Sequence, residues 1–178
     1  MATSTPTALG LHPAPAPSFD DPLGMLLACH VRMRRQLATL TRLSQHVTTF
    51  GADAEARTAA AAILRYFDRA AVDHHADEEQ SLLPRLAASA PDLAPVLATI
   101  GEEHRTLTLC WRKLRPLLSS IAAGTNEALP PMLVREMCEG YAAHIDREET
   151  LVIPRARASL DADTLAAVGR EFAARRDL

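Results

Sequence analysis

The sequence has few aromatic residues and few glycines. Phenylalanine, tryptophan and tyrosine together make up 4% of the 178 residues, and glycine occurs seven times, whereas alanine is abundant. Strands favour β-branched and aromatic side chains, while alanine favours helices. The hydrophobic fraction of 48% is sufficient for one domain with a buried core. The composition therefore indicates closely packed helices and disfavours a β-sheet protein.

Cysteine is scarce as well. The three residues Cys29, Cys110 and Cys138 are far apart and form no C-x-x-C pair. Each lies within a helical pattern, where a free cysteine behaves as a small apolar residue. This distribution argues against a disulfide framework and for a reducing compartment.

The sequence also lacks a strong charge excess, a signal peptide and a long apolar run. With a net charge of −3 and a pI near 6.1, neither nucleic acid nor an anionic membrane is expected as a partner. No basic segment followed by an apolar one stands at the start, and no run of about 18 apolar residues occurs. We therefore expect a cytoplasmic protein, for which the sequence indicates no particular protein partner.

The apolar pattern divides the chain into a tail and one helical domain. Residues 1–19 are rich in proline, alanine, serine and threonine, and X-Pro steps oppose helix, so we expect an extended tail there and a domain over 20–178. Helical stripes predict helices that begin at Pro22, near Asp53 or Ala54, around Ser89 to Asp92, and at Pro130 or Pro131. Gly51, Gly124 and Pro154 should end the first, third and fourth helices, and Pro84 should end or kink the second. A short helix from Asp161 to about Arg176 should follow. The pattern predicts an all-α, antiparallel up-down-up-down four-helix bundle with a short C-terminal helix.

One motif occurs twice, about seventy residues apart. His74 begins the run H-H-A-D-E-E-Q-S-L-L-P, and His144 begins the run H-I-D-R-E-E-T-L-V-I-P. In both runs a glutamate follows the histidine by four positions, which are Glu78 and Glu148. Residues four apart on a helix share one face, with Cβ atoms roughly 5–6 Å apart. Each motif therefore places one imidazole and one carboxylate on the same face of its helix.

Two further histidines, His30 and His104, each lie in the middle of an otherwise apolar stripe. The order along the four helices is then H, H-x-x-x-E, H, H-x-x-x-E. A buried carboxylate without a partner costs several kcal/mol, and buried charges are normally paired or bound to metal. The sequence therefore predicts a metal site whose ligands are His30, His74, Glu78, His104, His144 and Glu148.

The second histidine of the first motif leaves one alternative open. When the two motifs are aligned by their closing prolines, His74 matches His144, and His75 falls out of register. A shift by one residue would instead make His75 and Glu79 the ligands. The alignment favours His74 with Glu78.

Imidazole and carboxylate ligands suit iron, with manganese and zinc as competitors. Six protein ligands allow two metals, each with two histidines and both bridging carboxylates. A bridging oxo or hydroxo group would be the fifth ligand of each metal. One position per metal then stays open for a small molecule, as a reactive site requires.

The pattern resembles the hemerythrin / HHE cation-binding family from about residue 20 to 176. His30, the two His–Glu runs, E-E-H at 102–104 and the closing R-E-F-A-A-R-R carry the resemblance. It implies a non-haem di-iron site of the Fe–O–Fe type in a four-helix bundle. The chain is most similar to bacterial members with four histidines and two glutamates, including iron-centre repair proteins, but it lacks their N-terminal cysteine domain. Oxygen-carrying members have a fifth histidine where this chain has Thr108.

Two classes of function are consistent with such a site. A binding module would take up O₂, NO or peroxide in iron handling or in the response to oxidative and nitrosative stress. A di-iron enzyme would reduce NO or peroxide, or donate iron to damaged iron–sulfur centres. A structural or storage site for zinc or manganese is a further alternative. No catalytic residue is predicted, since the sequence has neither a glycine-rich dinucleotide loop nor a cysteine pair.

The spacing of the ligands also predicts the side from which a small molecule enters. The ligands lie nearer to the end of the bundle where the first helix begins than to the other end. We expect an apolar collar at that end, formed by Leu26, Leu27, Leu82, Ile100 and Leu151, through which a diatomic gas passes.

Overall fold

Five helices account for most of the chain that the structure describes. The computed structural model describes residues 18–125 and 128–177, and it has no strand in these ranges. The helices are α1, Pro22–Phe50; α2, residues 54–89; α3, Ala94–Ala122; α4, residues 131–159; and α5, Ala162–Ala174. A 3₁₀ turn, Pro91–Leu93, precedes α3. The all-α prediction is confirmed, while residues 1–17 of the expected tail lie outside the described residues.

None of the helices in the described ranges combines the length and the apolar character that a membrane span requires.

Short-range hydrogen bonds set the helix boundaries that the sequence predicted. Asp21, Asp53 and Asp161 each accept a hydrogen bond from the backbone N–H three residues later, at 2.9, 2.8 and 2.8 Å. These N-caps satisfy amide groups that have no partner within the helix. Gly51 follows α1 with a positive φ of 69°, a conformation that glycine adopts without steric strain.

Pro154 does not end its helix as predicted, and Pro84, which was expected to end or kink its helix, does not end it either. α2 continues to Ser89 and α4 to Ser159. In each case a π-helical segment, Glu78–Leu82 or Glu148–Val152, immediately precedes the prolines. A proline has no N–H and its ring clashes with the carbonyl four residues earlier, and a wider π turn relieves that clash. The helices therefore widen at the prolines and continue.

A polar layer separates the core into two apolar clusters. The larger cluster contains residues of α1 to α4, such as Met33, Ile63, Leu114 and Met137, and the smaller one contains residues of all five helices. On each of the four long helices, the histidines and glutamates of the predicted site lie between the residues of the two clusters. α1 and α3 each contact both α2 and α4. The site is thereby enclosed by apolar side chains at both ends.

α5 covers the end of the molecule where a collar around an opening was expected. Phe172 is fully buried in the smaller cluster, together with Leu26, Leu82 and Ile100. The collar leucine Leu151 is instead exposed to solvent. Leu26, Leu82 and Ile100 thus lie in an apolar cluster as expected, whereas Leu151 does not, and the entry of a small molecule at this end stays a prediction.

Ion pairs attach α5 to α2. Arg175 and Arg176 both contact the carboxylate of Asp77, with Arg176 Nη2 at 2.6 Å from Oδ2. Glu171 accepts hydrogen bonds from Arg85, the shorter at 2.6 Å. Asp77 is buried next to the predicted ligand Glu78, so the position of α5 is tied to the helix that carries the site.

A glycine allows α5 to approach the start of α1 closely. A Cβ atom at Gly169 would lie 1.9 Å from the carbonyl oxygen of Phe19, a backbone atom that cannot rotate away. We predict that Gly169→Ala lowers the free energy of unfolding by about 1–3 kcal/mol, as overpacking does in other cores. Thermal and urea denaturation followed by circular dichroism would measure it.

Gly101 is the matched control, because it is also helical but has only the flexible end of Arg105 within reach, at 3.9 Å. Gly101→Ala should leave stability unchanged or raise it by up to about 1 kcal/mol. Equal stabilities of the two variants would show that the contact between Gly169 and Phe19 does not limit the packing of α5.

Candidate metal centre

The structure brings all six predicted ligands together in the polar layer. None of them is more than 2% exposed. Their donor atoms form two groups within which all atoms lie within 4.8 Å of one another. The groups are His30, His74, Glu78 and Glu148, and Glu78, His104, His144 and Glu148. Because both groups contain Glu78 and Glu148, the arrangement consists of two adjacent sites that share two carboxylates.

The donor atoms of this cluster lack hydrogen-bond partners in the protein. The Nε2 atoms of His30, His74, His104 and His144 are buried without one, and so are both carboxylate oxygens of Glu148. Nitrogen and oxygen atoms approach to 3.1–3.3 Å in the closer pairs, such as His30 Nε2 with Glu148 Oε2, but without hydrogen-bond geometry. Buried polar atoms are otherwise paired in folded proteins. The cluster therefore has the chemistry of a cation site.

A second carboxylate orients three of the four imidazoles through Nδ1. The distances are 3.0 Å for His30 and Glu149, 2.7 Å for His104 and Glu79, and 3.1 Å for His144 and Glu103. In each pair the histidine and the glutamate belong to different helices. Such a partner fixes the tautomer with Nε2 free to bind metal and raises the basicity of the ring. The second glutamate of each H-x-x-x-E-E motif thus serves a histidine on a neighbouring helix.

Arginines hold two of these outer carboxylates in turn. Arg34 donates two hydrogen bonds to Glu149, at 2.8 and 2.9 Å. Arg147 donates to Glu103 at 3.0 Å. No lysine or arginine is paired with Glu78 or Glu148 in the described ranges. The positive charges of the protein therefore reach the outer glutamates and leave the two inner ones for a cation.

Glu78 and Glu79 occupy different environments. Glu78 is buried and belongs to both groups of donor atoms, whereas the side chain of Glu79 is 49% exposed and contacts His104 Nδ1. The geometry thus favours the register of His74 with Glu78.

His75 is a residue that sequence reasoning placed outside the site. Its donor nitrogen groups with those of His104 and His144, all within 4.8 Å. The expectation assumed one regular helix, but α2 contains π-helical turns at Tyr66–Ala70 and Glu78–Leu82, on either side of the H-H pair. π turns change the angular positions of the residues around them, so a residue one position out of the predicted register can still approach the site. The only feature of the sequence that pointed to His75 was its position next to His74 in the H-H pair.

Without a metal ion, the pKa values of the buried site residues are shifted in different directions. Burial lowers the pKa of His74 to about 3, so this imidazole is neutral at physiological pH. Burial and the nearby Glu148 raise the pKa of Glu78 well above its ordinary value. Metal ligands have to be neutral imidazoles and ionised carboxylates. A cation between the two glutamates would replace the proton that their proximity otherwise requires.

The comparison with known proteins agrees with this arrangement. The family model of the hemerythrin HHE cation-binding domain matches residues 21–156. The chain belongs to this family. It is also 30% identical over 168 residues to an uncharacterized protein of Haemophilus influenzae. The alignment covers 94% of this chain and 97% of that protein. The resemblance inferred from the His–Glu runs is confirmed, and the described residues of this hemerythrin domain contain clusters that can hold metal cations.

The outer carboxylates should contribute to metal affinity. We predict that Glu103→Ala lowers the affinity of the hemerythrin domain for Fe²⁺ or Co²⁺ by about 10- to 100-fold, because His144 loses its Nδ1 partner. A competition titration with a chelator of known affinity would measure the change.

The neighbouring residue provides the control. Glu102 is exposed and pairs with Arg105 on the same helix, so Glu102→Ala should leave metal affinity unchanged. An equal loss in both variants would indicate a general effect of charge and contradict the role of Glu103.

Proposed function

We propose that this hemerythrin-like protein holds two non-haem iron ions and binds a small molecule, such as O₂, NO or peroxide, at an open metal position. The observation that carries the proposal is the sharing of Glu78 and Glu148 by two adjacent groups of buried donor atoms. Two shared carboxylates place two ions side by side and leave each with few protein ligands. The same donor types also accept zinc or manganese.

The proposed frame is an antiparallel four-helix bundle over residues 20–178, with residues 1–19 as a tail. The contacts of α1 and α3 with both α2 and α4 support it. The order of the apolar clusters supports it as well. α1 and α3 run from the smaller cluster to the larger one, whereas α2 and α4 run the opposite way.

Each ligand has a distinct part in this proposal. His30 and His74 bind one ion, His104 and His144 bind the other, and the carboxylates of Glu78 and Glu148 bridge the two. Bound iron supplies the capacity to bind a diatomic molecule or peroxide and to change oxidation state. The protein orients the imidazoles through Glu79, Glu103 and Glu149, and its two apolar clusters exclude bulk water from the site.

A role in iron handling or in the response to oxidative or nitrosative stress follows from reversible binding of such molecules. A di-iron enzyme that reduces NO or peroxide, or that donates iron to damaged iron–sulfur centres, would use the same ligands. These functions differ in turnover, so kinetics distinguish them.

Spectroscopy of the iron-loaded protein tests the proposal directly. The reduced form would be mixed in a stopped-flow instrument with O₂, NO and H₂O₂, one at a time. We expect a coloured adduct that forms once per metal pair and is reversed when the ligand is removed. Repeated turnover with added reductant would instead identify an enzyme, and a protein that holds zinc and is silent to all three ligands would contradict both functions.

Metal content tests the ligand set. We predict two iron ions per chain after expression with ample iron, and a clear loss in His104→Ala, because that ion would lose one of its two imidazoles. Elemental analysis would measure both. His46→Ala is the control, since His46 lies outside the cluster and pairs with Asp53 at 3.0 Å. Unchanged metal content in His104→Ala would contradict the assignment.

Metal removal should lower stability. Without cations, two carboxylates and several unpaired imidazole nitrogens remain buried, and a ligand that binds only the folded state stabilises it. A metal concentration 100 times the dissociation constant contributes about 2.7 kcal/mol per site, which raises the Tm of a chain of this length by about 5–10 °C. Differential scanning calorimetry of metal-free and loaded protein would measure it, and equal values of Tm would refute this prediction.

A further inference from the structure

A series of aromatic rings leads from the metal centre to the surface of the protein. Tyr141 is buried one turn before the proposed ligand His144 on α4, and the two ring centroids lie 6.3 Å apart. The ring of Phe67 on α2 lies 5.5 Å from that of Tyr141, and the ring of Trp111 on α3 lies 5.1 Å from that of Phe67. Trp111 is only partly buried. Ring contacts therefore connect the centre continuously with a tryptophan that reaches solvent.

Aromatic residues are too scarce in this chain for such a series to be an ordinary feature of its core. The sequence has four phenylalanines, two tyrosines and one tryptophan. Both tyrosines and the tryptophan contact Phe67, the ring of Tyr66 at 5.3 Å. The larger apolar cluster otherwise consists of aliphatic side chains, which fill a helical core equally well. Packing alone therefore gives no reason to collect these rings around Phe67.

A π turn without a neighbouring proline positions part of the series. Two of the three π-helical segments in the described ranges precede prolines, which accounts for them. The third segment, Tyr66–Ala70, has no proline near it, since the next one in the sequence is Pro84. π turns inside helices frequently occur at functional sites. This turn carries both Phe67 and Asp68, the residues that contact the tryptophan.

The surroundings of Trp111 suit the loss of an electron. Indole has the most electron-rich face of the aromatic side chains, so it is oxidised more readily than a phenylalanine ring. Its Nε1–H donates a hydrogen bond of 3.1 Å to Asp68, whose carboxylate also accepts one of 2.9 Å from Arg115. A carboxylate at this place stabilises positive charge on the indole and can accept the Nε1 proton. The side chain of Asp68 is 33% exposed, so the proton can pass on to solvent.

We infer that Trp111 donates an electron to the metal centre through Phe67 and Tyr141 when peroxide meets a partly oxidised iron pair. This inference rests on the proposed two-iron function. Reduction of one H₂O₂ to two waters consumes two electrons and two protons. A pair with one Fe²⁺ and one Fe³⁺ gives one electron, and Trp111 gives the other together with its Nε1 proton. Solvent provides the second proton, and the radical remains on the indole at the surface, away from the buried imidazoles.

Electron paramagnetic resonance of rapidly frozen samples tests the inference on the unmodified chain. The iron-loaded protein would be reduced, oxidised by one electron per metal pair, mixed with one equivalent of H₂O₂ and frozen. We expect an organic radical signal. Because the chain has one tryptophan, growth on ring-deuterated tryptophan should narrow this signal. The absence of a radical, or a signal that deuterated tryptophan leaves unchanged, would overturn the inference.

Variants separate the donor from the path. Trp111→Phe retains an aromatic ring but should abolish the signal. Phe67→Leu should lower the yield of the signal while Trp111 is still present, because the ring that links it to Tyr141 is lost. Phe50→Leu is the matched control, since Phe50 is exposed and contacts His46 instead, and it should behave as the wild type. Equal yields in Phe67→Leu and Phe50→Leu would overturn the proposed path.

Mass spectrometry distinguishes this path from direct attack of peroxide on a partly exposed side chain. After treatment with excess peroxide, the peptide with intact Trp111 should decrease in the iron-loaded protein and persist in the zinc-loaded one, because zinc does not change oxidation state. Equal losses in both forms would overturn the inference. Fe²⁺ that peroxide fails to oxidise would instead overturn the proposed function of the centre, so the two failures are distinguishable.

Discussion

Two carboxylates buried in the middle of an apolar core constrain the rest of this protein. Glu78 and Glu148 lie within reach of each other and of several imidazoles, and no arginine or lysine in the described ranges is paired with either. Two like charges in a medium of low dielectric repel strongly, so either protons or cations have to lie between them. The apolar clusters above and below the site make this requirement strict, because they exclude the water that would otherwise screen the charges.

The arrangement of the site follows from this constraint. Imidazoles face the carboxylates with unpaired Nε2 atoms, and the outer glutamates hold three of the rings in place. Arginines neutralise the outer glutamates Glu103 and Glu149 rather than the inner ones. The charges are thereby ordered from the surface to the centre, and the innermost position is left for a cation. Packing of α5 through Phe172 and Asp77 closes the end of the molecule that lies nearest to this centre.

Much of this could be predicted from the sequence, because the decisive signals are local. Aspartate caps and Gly51 set helix boundaries within one turn, and a four-residue spacing is enough to place His74 with Glu78 and His144 with Glu148 on common faces. Three features could not be predicted in this way. The π turns before Pro84 and Pro154 depend on how the backbone resolves a steric clash. The approach of His75 to His104 and His144 depends on how the helices pack together. The covering of the near end depends on where a separate helix docks.

The outer glutamates link the helices in a fixed order. Glu79 of α2 holds His104 of α3, Glu103 of α3 holds His144 of α4, and Glu149 of α4 holds His30 of α1. His74 of α2, where this series would close, has an Nδ1 atom without a partner. During synthesis, His30 is among the first of these residues to leave the ribosome, yet the glutamate that orients it is among the last. A growing chain therefore lacks the Nδ1 partner of its first imidazole until the fourth helix has been made, so the series of oriented imidazoles exists only in the completed domain.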